Sequence, residues 1–211
     1  MKAVLKDSQL LEQLSPYIEK LYKLATETDI HLFRQKAFFI LQGVFSCSSG
    51  VWFARSDNVS YHKKFTDDTY VFNQPQVFMR NYIELLASLT EPEPIYLHVS
   101  QHSGIPIILH EVIPISEWYK TTFYKNHWIR FNIEHVMSCG SLTSNNQFSH
   151  LISVYRKEKD QPFSQTDKHY FQLLFPHLLE AFRINILQSF NRSYDGTSVG
   201  KVTESNAYPF D

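Results

Sequence analysis

The first 45 residues carry apolar side chains at spacings of three and four, the period of amphipathic helices. This pattern predicts two consecutive helices, the first ending near Thr28 and the second beginning at Asp29, a suitable N-cap residue. A third helix is predicted after Pro75, which suits a first helical turn, and residues 91–94 end it. The inward-facing positions of the three helices are Leu11, Leu14, Ile18, Leu21 and Ala25; Phe33, Ala37, Ile40, Leu41 and Val44; and Phe78, Tyr82, Leu85, Leu86 and Leu89.

Elsewhere the pattern changes to the alternation and turn residues of β-strands, and the predicted strands come in pairs. An aromatic helix is predicted from Ser116 to about Phe131, between the second pair and the third. The predicted pairs are 51–55 with 59–62 around an Asp-Asn turn, 95–99 with 105–113 around a Ser-Gly turn, and 132–139 with 148–156 around a polar loop, the last pair antiparallel.

A long helix is predicted near the end of the chain. Ser164 and Asp167 form a capping-box-like start, and an apolar stripe then runs to about Phe190. Pro176 interrupts this stripe, which predicts a kink or two abutting helices. From residue 191 to 211 the composition shifts to Ser, Thr, Gly and Asn without a period, which predicts a flexible tail or linker after a single domain over 1–190.

The order of these elements predicts the α+β class. Paired strands separated by helices give a mostly antiparallel sheet flanked by helices, with an N-terminal helix pair and a long C-terminal helix.

Charge and cysteine content narrow the classes of protein. The 20 Lys and Arg residues against 21 Asp and Glu give a net charge of -1, without the basic cluster that nucleic acid or an acidic membrane would require. Cys47 and Cys139 are the 2 cysteines, which fits a reducing compartment. The N-terminus lacks the continuous apolar core of a signal peptide, and the apolar stretch 37–45 is too short to cross a bilayer. We expect a cytoplasmic protein with no membrane partner.

No arrangement of catalytic, metal-binding or cofactor-binding residues emerges from the sequence. His98 and His102 have a helical metal spacing but fall across a predicted strand and turn, with no Cys or acidic residue nearby. A Gly-x-Ser-x-Gly motif is absent, and 196–202 is one residue short of a phosphate-binding loop. We expect no catalytic residue, no metal and no cofactor, and therefore not an enzyme.

Aromatic residues are the unusual feature, at 15% of the chain with 17 Phe and 12 Tyr. Tyr and Trp combine an apolar surface with a hydrogen-bonding group, as a pocket for a planar or amphipathic small molecule requires. The same residues suit a core or an interface equally, and composition does not choose between these. The candidate ligand-binding residues are Trp52, Phe53, Trp118, Tyr119, Phe123 and Trp128.

The C-terminal half resembles the N-terminal sensor region of LuxR-type helix-turn-helix transcriptional regulators, which has a GAF/PAS-like fold. The resemblance rests on four stretches: a strand that ends in Tyr-Arg, the Phe-Ser-x-x-Asp start of a helix, Pro-His-Leu inside the last helix, and an aromatic segment before the strands. They occupy residues 151–156, 162–167, 174–181 and 123–135. The match is close over about 120–190 and extends in element order over 10–190.

This resemblance implies a signal-sensing domain of a bacterial regulator whose state controls a neighbouring DNA-binding domain. We expect it to hold a small molecule between the sheet and the aromatic helix and to form a homodimer through its N-terminal and long C-terminal helices. We expect DNA to be a partner only through a helix-turn-helix domain that these 211 residues do not contain. Autoinducer-binding relatives share a Trp-Tyr pair such as Trp118-Tyr119, but the Asp-Pro that normally follows is missing here, which leaves acyl-homoserine-lactone binding with little support. The alternative is a protein-interaction module of the same fold that has lost its pocket.

Overall fold

The computed structural model describes residues 2–54, 69–88, 93–144 and 148–197. Its longer helices are α1 (Lys2–Glu27), α2 (Ile30–Phe45), α3 (Val77–Ser88) and α8 (Gln165–Thr197). Four short helices, α4 (Pro94–Val99), α5 (Leu109–Val112), α6 (Ile115–Trp118) and α7 (Thr122–Asn126), precede a 3-10 turn at Trp128–Phe131. The strands are β1 (Ser49–Ala54), β2 (Thr69–Phe72), β3 (Ile107–Ile108), β4 (His135–Leu142) and β5 (Phe148–Arg156).

The five strands of the described chain form one antiparallel sheet in the order β2, β1, β5, β4, β3. The central strand β5 pairs with β1 so that Trp52 lies opposite Ile152, and with β4 so that Ser138 lies opposite Ser153. Because alternate residues of a strand point to opposite faces, this register gives the sheet two distinct apolar faces. Each face is covered by helices, and each has its own buried core.

Helices α1, α2 and α8 cover the first face. Helix α8 packs along α1 and against α2, and its buried Asn185 donates from Nδ2 to the carbonyl oxygens of Ala25 (3.1 Å) and Thr28 (2.8 Å). Those carbonyls lie in the last turn of α1 and just after it, where a helix leaves its carbonyl oxygens without intrahelical partners. The side chain of Asn185 therefore ties the last helix to the end of the first.

Short helices and α3 cover the second face. Phe78 of α3 is the centre of this layer, since its ring lies 4.6 Å from that of His127, 5.0 Å from that of Phe131 and 5.9 Å from that of Tyr155. The layer therefore holds α3 and the 3-10 turn against the central strand of the sheet.

Much of the predicted architecture is confirmed. The α+β class, the antiparallel sheet, the N-terminal helix pair and the long last helix are all present. The predicted cap of the last helix is also present, with Ser164 Oγ accepting from the backbone N–H of Asp167 (3.1 Å) while Asp167 Oδ2 accepts from that of Ser164 (2.7 Å).

Two predicted strands are wrong. Residues 95–99 lie within α4, because Glu93 caps this helix from its side chain and Pro94 suits its first turn. Of the predicted strand 105–113, Ile107–Ile108 alone pairs as a strand, and Leu109–Val112 then forms a helical turn. The first strand of the hairpin predicted at 51–62 is present as β1. The turn and the second strand of that hairpin, at 59–62, lie outside the described residues. The partner of β1 on this side is β2 (Thr69–Phe72) instead.

The predicted aromatic helix over 116–131 is also wrong, because the segment is broken into α6, α7 and the 3-10 turn. Thr121 is extended and its hydroxyl accepts from the backbone N–H of Tyr124 (3.1 Å), which starts a new helix. Asn132 adopts a left-handed conformation (φ 54°) and ends the segment.

At Pro176 the kink stays a prediction, but the alternative of two abutting helices is not present. The last helix is continuous through Pro176, because its packing along α1 outweighs the one backbone bond that the proline removes. It also extends to Thr197, beyond the predicted end near Phe190. The division into 1–190 and a tail at 191–211 remains a prediction.

None of the helices in the described part of the chain combines the length and apolarity needed to traverse a bilayer. Among the same residues, no three His, Cys, Asp or Glu side chains converge as metal ligands would.

Candidate functional site

The candidate site is a cavity between the second face of the sheet and helices α3 and α4. It measures about 30 Å³, room for about two water molecules. The sheet lines it with Val51, Phe53, Val136, Ser138, Leu151, Ser153 and Tyr155, and the helical layer with Phe78, Met79, Tyr82, Ile95, Tyr96, Val99 and Trp128. Its wall is therefore mainly apolar and aromatic, as is usual for small-molecule sites.

A short row of hydroxyl groups crosses the floor of the cavity. Ser138 Oγ and Ser153 Oγ lie 2.7 Å apart on neighbouring strands, and the buried Tyr155 hydroxyl bonds to Ser153. Burial raises the pKa of Tyr155, so its hydroxyl stays neutral and available as a donor. These three side chains share a face because they occupy alternate or paired positions of β4 and β5.

The indole of Trp128 is the cavity group with an unmet hydrogen bond. Its Nε1 is buried and has no partner among the described residues. Trp128 is held in place from several sides, with its ring 5.4 Å from that of Tyr155 and 5.9 Å from that of Tyr82. A buried N–H without an acceptor destabilises a protein by about 1–3 kcal/mol, which a ligand oxygen would relieve.

Glu93 adds a buried carboxyl next to this cavity. Its Oε2 accepts from the backbone N–H of Tyr96 (2.6 Å), while Oε1 has no partner in the described structure. Burial raises the pKa of Glu93 to about 8, and its charge would in turn raise the pKa of Tyr155. The carboxyl is therefore largely protonated at neutral pH.

His127 lies behind the cavity wall. Its Nδ1 is 2.8 Å from Asn81 Oδ1, so Nδ1 carries the proton and Nε2 is a buried acceptor without a partner in the described structure. Burial lowers the pKa of His127 to about 3, and the imidazole is therefore neutral. The ring packs against Phe78 and Trp128 and fixes the orientation of the 3-10 turn.

The predicted ligand-binding residues do not converge on one place. Phe53 and Trp128 line the cavity. Trp52, the residue before Phe53, lies on the other face of the same strand, where its ring packs 5.3 Å from that of Phe182 in α8. Adjacent residues of a strand point to opposite faces of the sheet. The sequence of β1 does not reveal this, because both faces are buried and its residues are therefore apolar on both sides.

The other three candidates lie outside the cavity wall. Trp118 is fully buried against Trp128 (6.1 Å between ring centres), and Phe123 packs beside Tyr82 at 6.3 Å. Tyr119 is 40% exposed, and its hydroxyl bonds to the buried carboxylate of Glu134.

The Glu134 carboxylate is hydrogen-bonded to two tyrosines at the outer edge of this layer. It accepts from the hydroxyls of Tyr119 and Tyr124, the second at 3.1 Å. The hydrogen bond to Glu134 raises the pKa of Tyr119, and burial followed by that charge raises the pKa of Tyr124 to about 12. The hydroxyl of Tyr119 is therefore used in a hydrogen bond to Glu134, and the residue does not line the cavity.

Sequence reasoning missed most of the cavity wall. Phe78 and Tyr82 were identified as inward-facing positions of α3 but not as members of a site. Tyr96 was hidden by the strand predicted at 95–99, whereas Tyr155 and Ser153 sit in the correctly predicted strand β5. A search for polar side chains on the face of β5 opposite Ile152 could have found the last two.

Comparisons with models of protein families and with the sequences of characterised proteins give no match. The structure is similar to that of CepR2 from Burkholderia cenocepacia, an N-acylhomoserine-lactone-dependent LuxR-family transcription factor. That likeness has a TM-score of 0.56 at 11% identity and covers 85% of this chain and 99% of the other. The protein shares the fold of this LuxR-family factor.

The VqsR ligand-binding domain from Pseudomonas aeruginosa also aligns, with a TM-score of 0.49 at 14% identity over 83% of this chain and 98% of the other. The likeness to CepR2 confirms, at the level of the fold, the resemblance to LuxR-type regulators that the sequence indicates. At this level of identity the likeness concerns the fold alone.

Proposed function

We propose that this protein is a signal-sensing domain of a LuxR-type transcriptional regulator, and that it binds an amphipathic small molecule in the cavity between the sheet and α3. The observation that carries the proposal is a mainly apolar cavity whose wall includes Trp128, an indole whose buried Nε1–H has no hydrogen-bond partner among the described residues. A ligand that supplies an oxygen acceptor and an apolar body meets both properties of this wall.

The volume of the cavity requires that ligand binding enlarges it. About 30 Å³ is far below the several hundred Å³ of typical ligand pockets. Helices α3 and α4 form the movable side, since the opposite wall belongs to the central strands of the sheet. A ligand that binds the wider arrangement shifts the population toward it.

Strand β1 connects this cavity with the last helix. Phe53 lines the cavity on one face, and Trp52 packs against Phe182 of α8 on the other. A ligand-dependent movement of α3 and α4 that changes the packing of Phe53 is therefore passed through β1 to α8, which continues to Thr197 at the end of the described chain. We propose that this helix passes the ligand-dependent change to a neighbouring DNA-binding domain.

Thermal unfolding of the protein with a panel of N-acylhomoserine lactones and other amphipathic metabolites tests the sensor function. A hit at a hundredfold excess over its Kd is expected to raise Tm by roughly 5–10 °C. Trp128→Phe is expected to reduce this shift, because it removes the indole donor, whereas Trp52→Phe on the opposite face serves as the matched control. An unchanged Tm with every compound would contradict ligand binding.

A homodimer in the cytoplasm is the proposed working form. Helices α1 and α8 lie side by side, and both carry exposed apolar residues, among them Leu11, Leu187 and Phe190. Analytical ultracentrifugation of the protein and of Phe190→Ser tests this. A monomer at every concentration would contradict the dimer.

A protein-interaction module is the second candidate function, and the nearly filled interior favours it. Helix α2 exposes Leu32 (41%) and Phe39 (55%) seven residues apart, on one face of the helix. Under this alternative no small molecule changes Tm, and Phe39→Ser abolishes partner binding while Trp128→Phe does not.

A further inference from the structure

A second concave site, which we call the polar groove, lies on the surface between α3 and the segment from α7 to the 3-10 turn. Its volume of about 380 Å³ falls within the roughly 300–1,000 Å³ of small-molecule sites, whereas the apolar cavity is far smaller. Five of its six side chains carry charged, amide or hydroxyl groups. The groove is lined by Asn81, Glu84, Leu85, Ser88, Asn126 and Arg130, none of which lines the cavity.

Helical spacing brings these side chains together. Positions 81, 84, 85 and 88 share one face of α3, beside the face that lines the cavity. On the other side of the groove, Asn126 ends α7 and Arg130 lies in the 3-10 turn. The hydrogen bond between His127 Nδ1 and Asn81 Oδ1, at 2.8 Å, joins the two sides.

Glu84 and Arg130 place opposite charges in the groove without pairing with each other. Neither charged group has an ion-pair or hydrogen-bond partner among the described residues, and both side chains are exposed. A direct ion pair at such an exposed position would contribute only about 0–1 kcal/mol. A ligand that contacts both groups at once therefore displaces little when it binds.

Asn81 adds a hydrogen-bond donor on the side of Arg130. Its Oδ1 accepts from His127, so Nδ2 is the end of the amide that remains for a ligand. Burial, followed by the charge of Arg130, lowers the pKa of His127, so the guanidinium acts on the same imidazole that Asn81 contacts. A guanidinium fork next to an amide N–H₂ group is a suitable set of donors for a carboxylate.

We infer that the polar groove binds a zwitterion of the α-amino-acid class, with the ligand carboxylate on Arg130 and Asn81 and the ligand ammonium group on Glu84. Asn126 supplies an amide for a polar ligand side chain. The two charges of the groove select both charges of the ligand, because a molecule with only one of them leaves either Glu84 or Arg130 without a partner. The inference does not rest on the proposed sensor function, since the groove and the cavity share no residue.

The test begins with the standard L-amino acids as probes, each at millimolar concentration and pH 7. Binding to the full chain is followed through the backbone amide signals of residues 81–88 and 126–130 in a proton–nitrogen NMR spectrum. At least one amino acid is expected to shift these signals in a saturable way. The amide of that amino acid, which lacks the carboxylate, and the matching acid without the amino group are each expected to bind at least tenfold more weakly.

Two exposed substitutions assign the charges to their partners. Arg130→Gln is expected to weaken binding of the amino acid at least tenfold and to abolish its preference over the amide. Glu84→Gln is expected to weaken binding similarly and to abolish the preference over the acid without the amino group. Lys125→Gln is the matched control, because it removes an exposed positive charge beside the groove without altering the lining, and it is expected to leave the affinity within about twofold of the wild type.

Three outcomes overturn the inference. The first is that no standard amino acid shifts the signals of the groove. The second is equal binding of the acid without the amino group, which makes Arg130 a site for any anion. The third is an equal loss of affinity in Lys125→Gln and Arg130→Gln, which reduces the effect to overall charge. All three leave the proposed sensor function standing, because that function is tested with amphipathic compounds and with Trp128 in the cavity.

Discussion

Trp52 and Phe53 are neighbours on strand β1 and belong to different cores. The indole of Trp52 packs 5.3 Å from the Phe182 ring on the side of α1, α2 and α8, whereas Phe53 lines the cavity on the side of α3 and α4. One backbone segment thus touches both the candidate ligand site and the long last helix.

Substitutions at these two neighbours are expected to separate ligand binding from its transmission. Phe53→Leu changes the cavity wall and is expected to alter ligand affinity. Trp52→Phe leaves the wall intact, so we expect unchanged affinity, a loss of stability of about 1–3 kcal/mol from the smaller ring, and a weaker response of α8. Ligand titration and a fluorescent label near the end of α8 measure the two effects. Equal changes in affinity would contradict the separation.

Glu93→Gln is expected to remove a pH dependence of stability. Burial raises the pKa of Glu93 to about 8, whereas in the unfolded chain a glutamate titrates near about 4.3. Between these values the folded state holds a proton that the unfolded state lacks, so the free energy of unfolding falls with rising pH by roughly 1 kcal/mol per pH unit. Urea unfolding at several pH values should show the Gln variant gaining on the wild type up to about pH 8.

The exposed Glu19→Gln variant on α1 is the control for that series. It is expected to follow the wild type at every pH. Parallel pH profiles of Glu93→Gln and the wild type would show that Glu93 is not protonated in the folded state.

Gly50→Ala is expected to destabilise the protein by about 1–3 kcal/mol. A Cβ at this position would lie 2.7 Å from the Ser153 carbonyl oxygen, in the paired strand, and would collide with the Phe38 ring. Gly43→Ala in α2 is the matched control, since its Cβ meets the Tyr17 ring at an ordinary 3.5 Å. Helix propensity predicts that this second change stabilises by about 0.5–1 kcal/mol. Chemical denaturation of both variants measures these changes in the free energy of unfolding. An unchanged stability of Gly50→Ala would show that β1 and β5 lie farther apart than the structure has them.

Arg156→Lys is expected to lower stability by about 2–3 kcal/mol, because a lysine cannot reproduce the planar fork of donors. The buried guanidinium lies 4.1 Å from the centre of the Phe163 ring and 3.5 Å from Asp167. It also donates to the carbonyl oxygens of Phe45, Gln161 and Pro162.

The control for this change is Arg183→Lys, whose exposed side chain pairs with Glu180 one turn away. That variant is expected to stay within about 0.5 kcal/mol of the wild type. Comparable losses at Arg156 and Arg183 in urea unfolding would contradict the structural role of the buried arginine.

Local signals in the sequence were sufficient for the long elements. The apolar stripes of α1, α2 and α3, and the reciprocal cap of Ser164 and Asp167, depend on spacing and on side-chain-to-backbone bonds within a few residues. The sequence by itself therefore determined the α+β class and the long helix pair, because those properties follow from periods of 3.6 and 2.

Only the tertiary structure decided which face of each strand or helix is buried and which element packs against that face. Residues 95–99 are apolar enough for a strand, but the side chain of Glu93 closes the first turn of a helix there. Trp52 and Phe53 read alike in the sequence, because both faces of β1 are covered. The cavity joins β1, β4 and β5 to α3, α4 and Trp128 across long separations in the chain, and no local pattern encodes that meeting of surfaces.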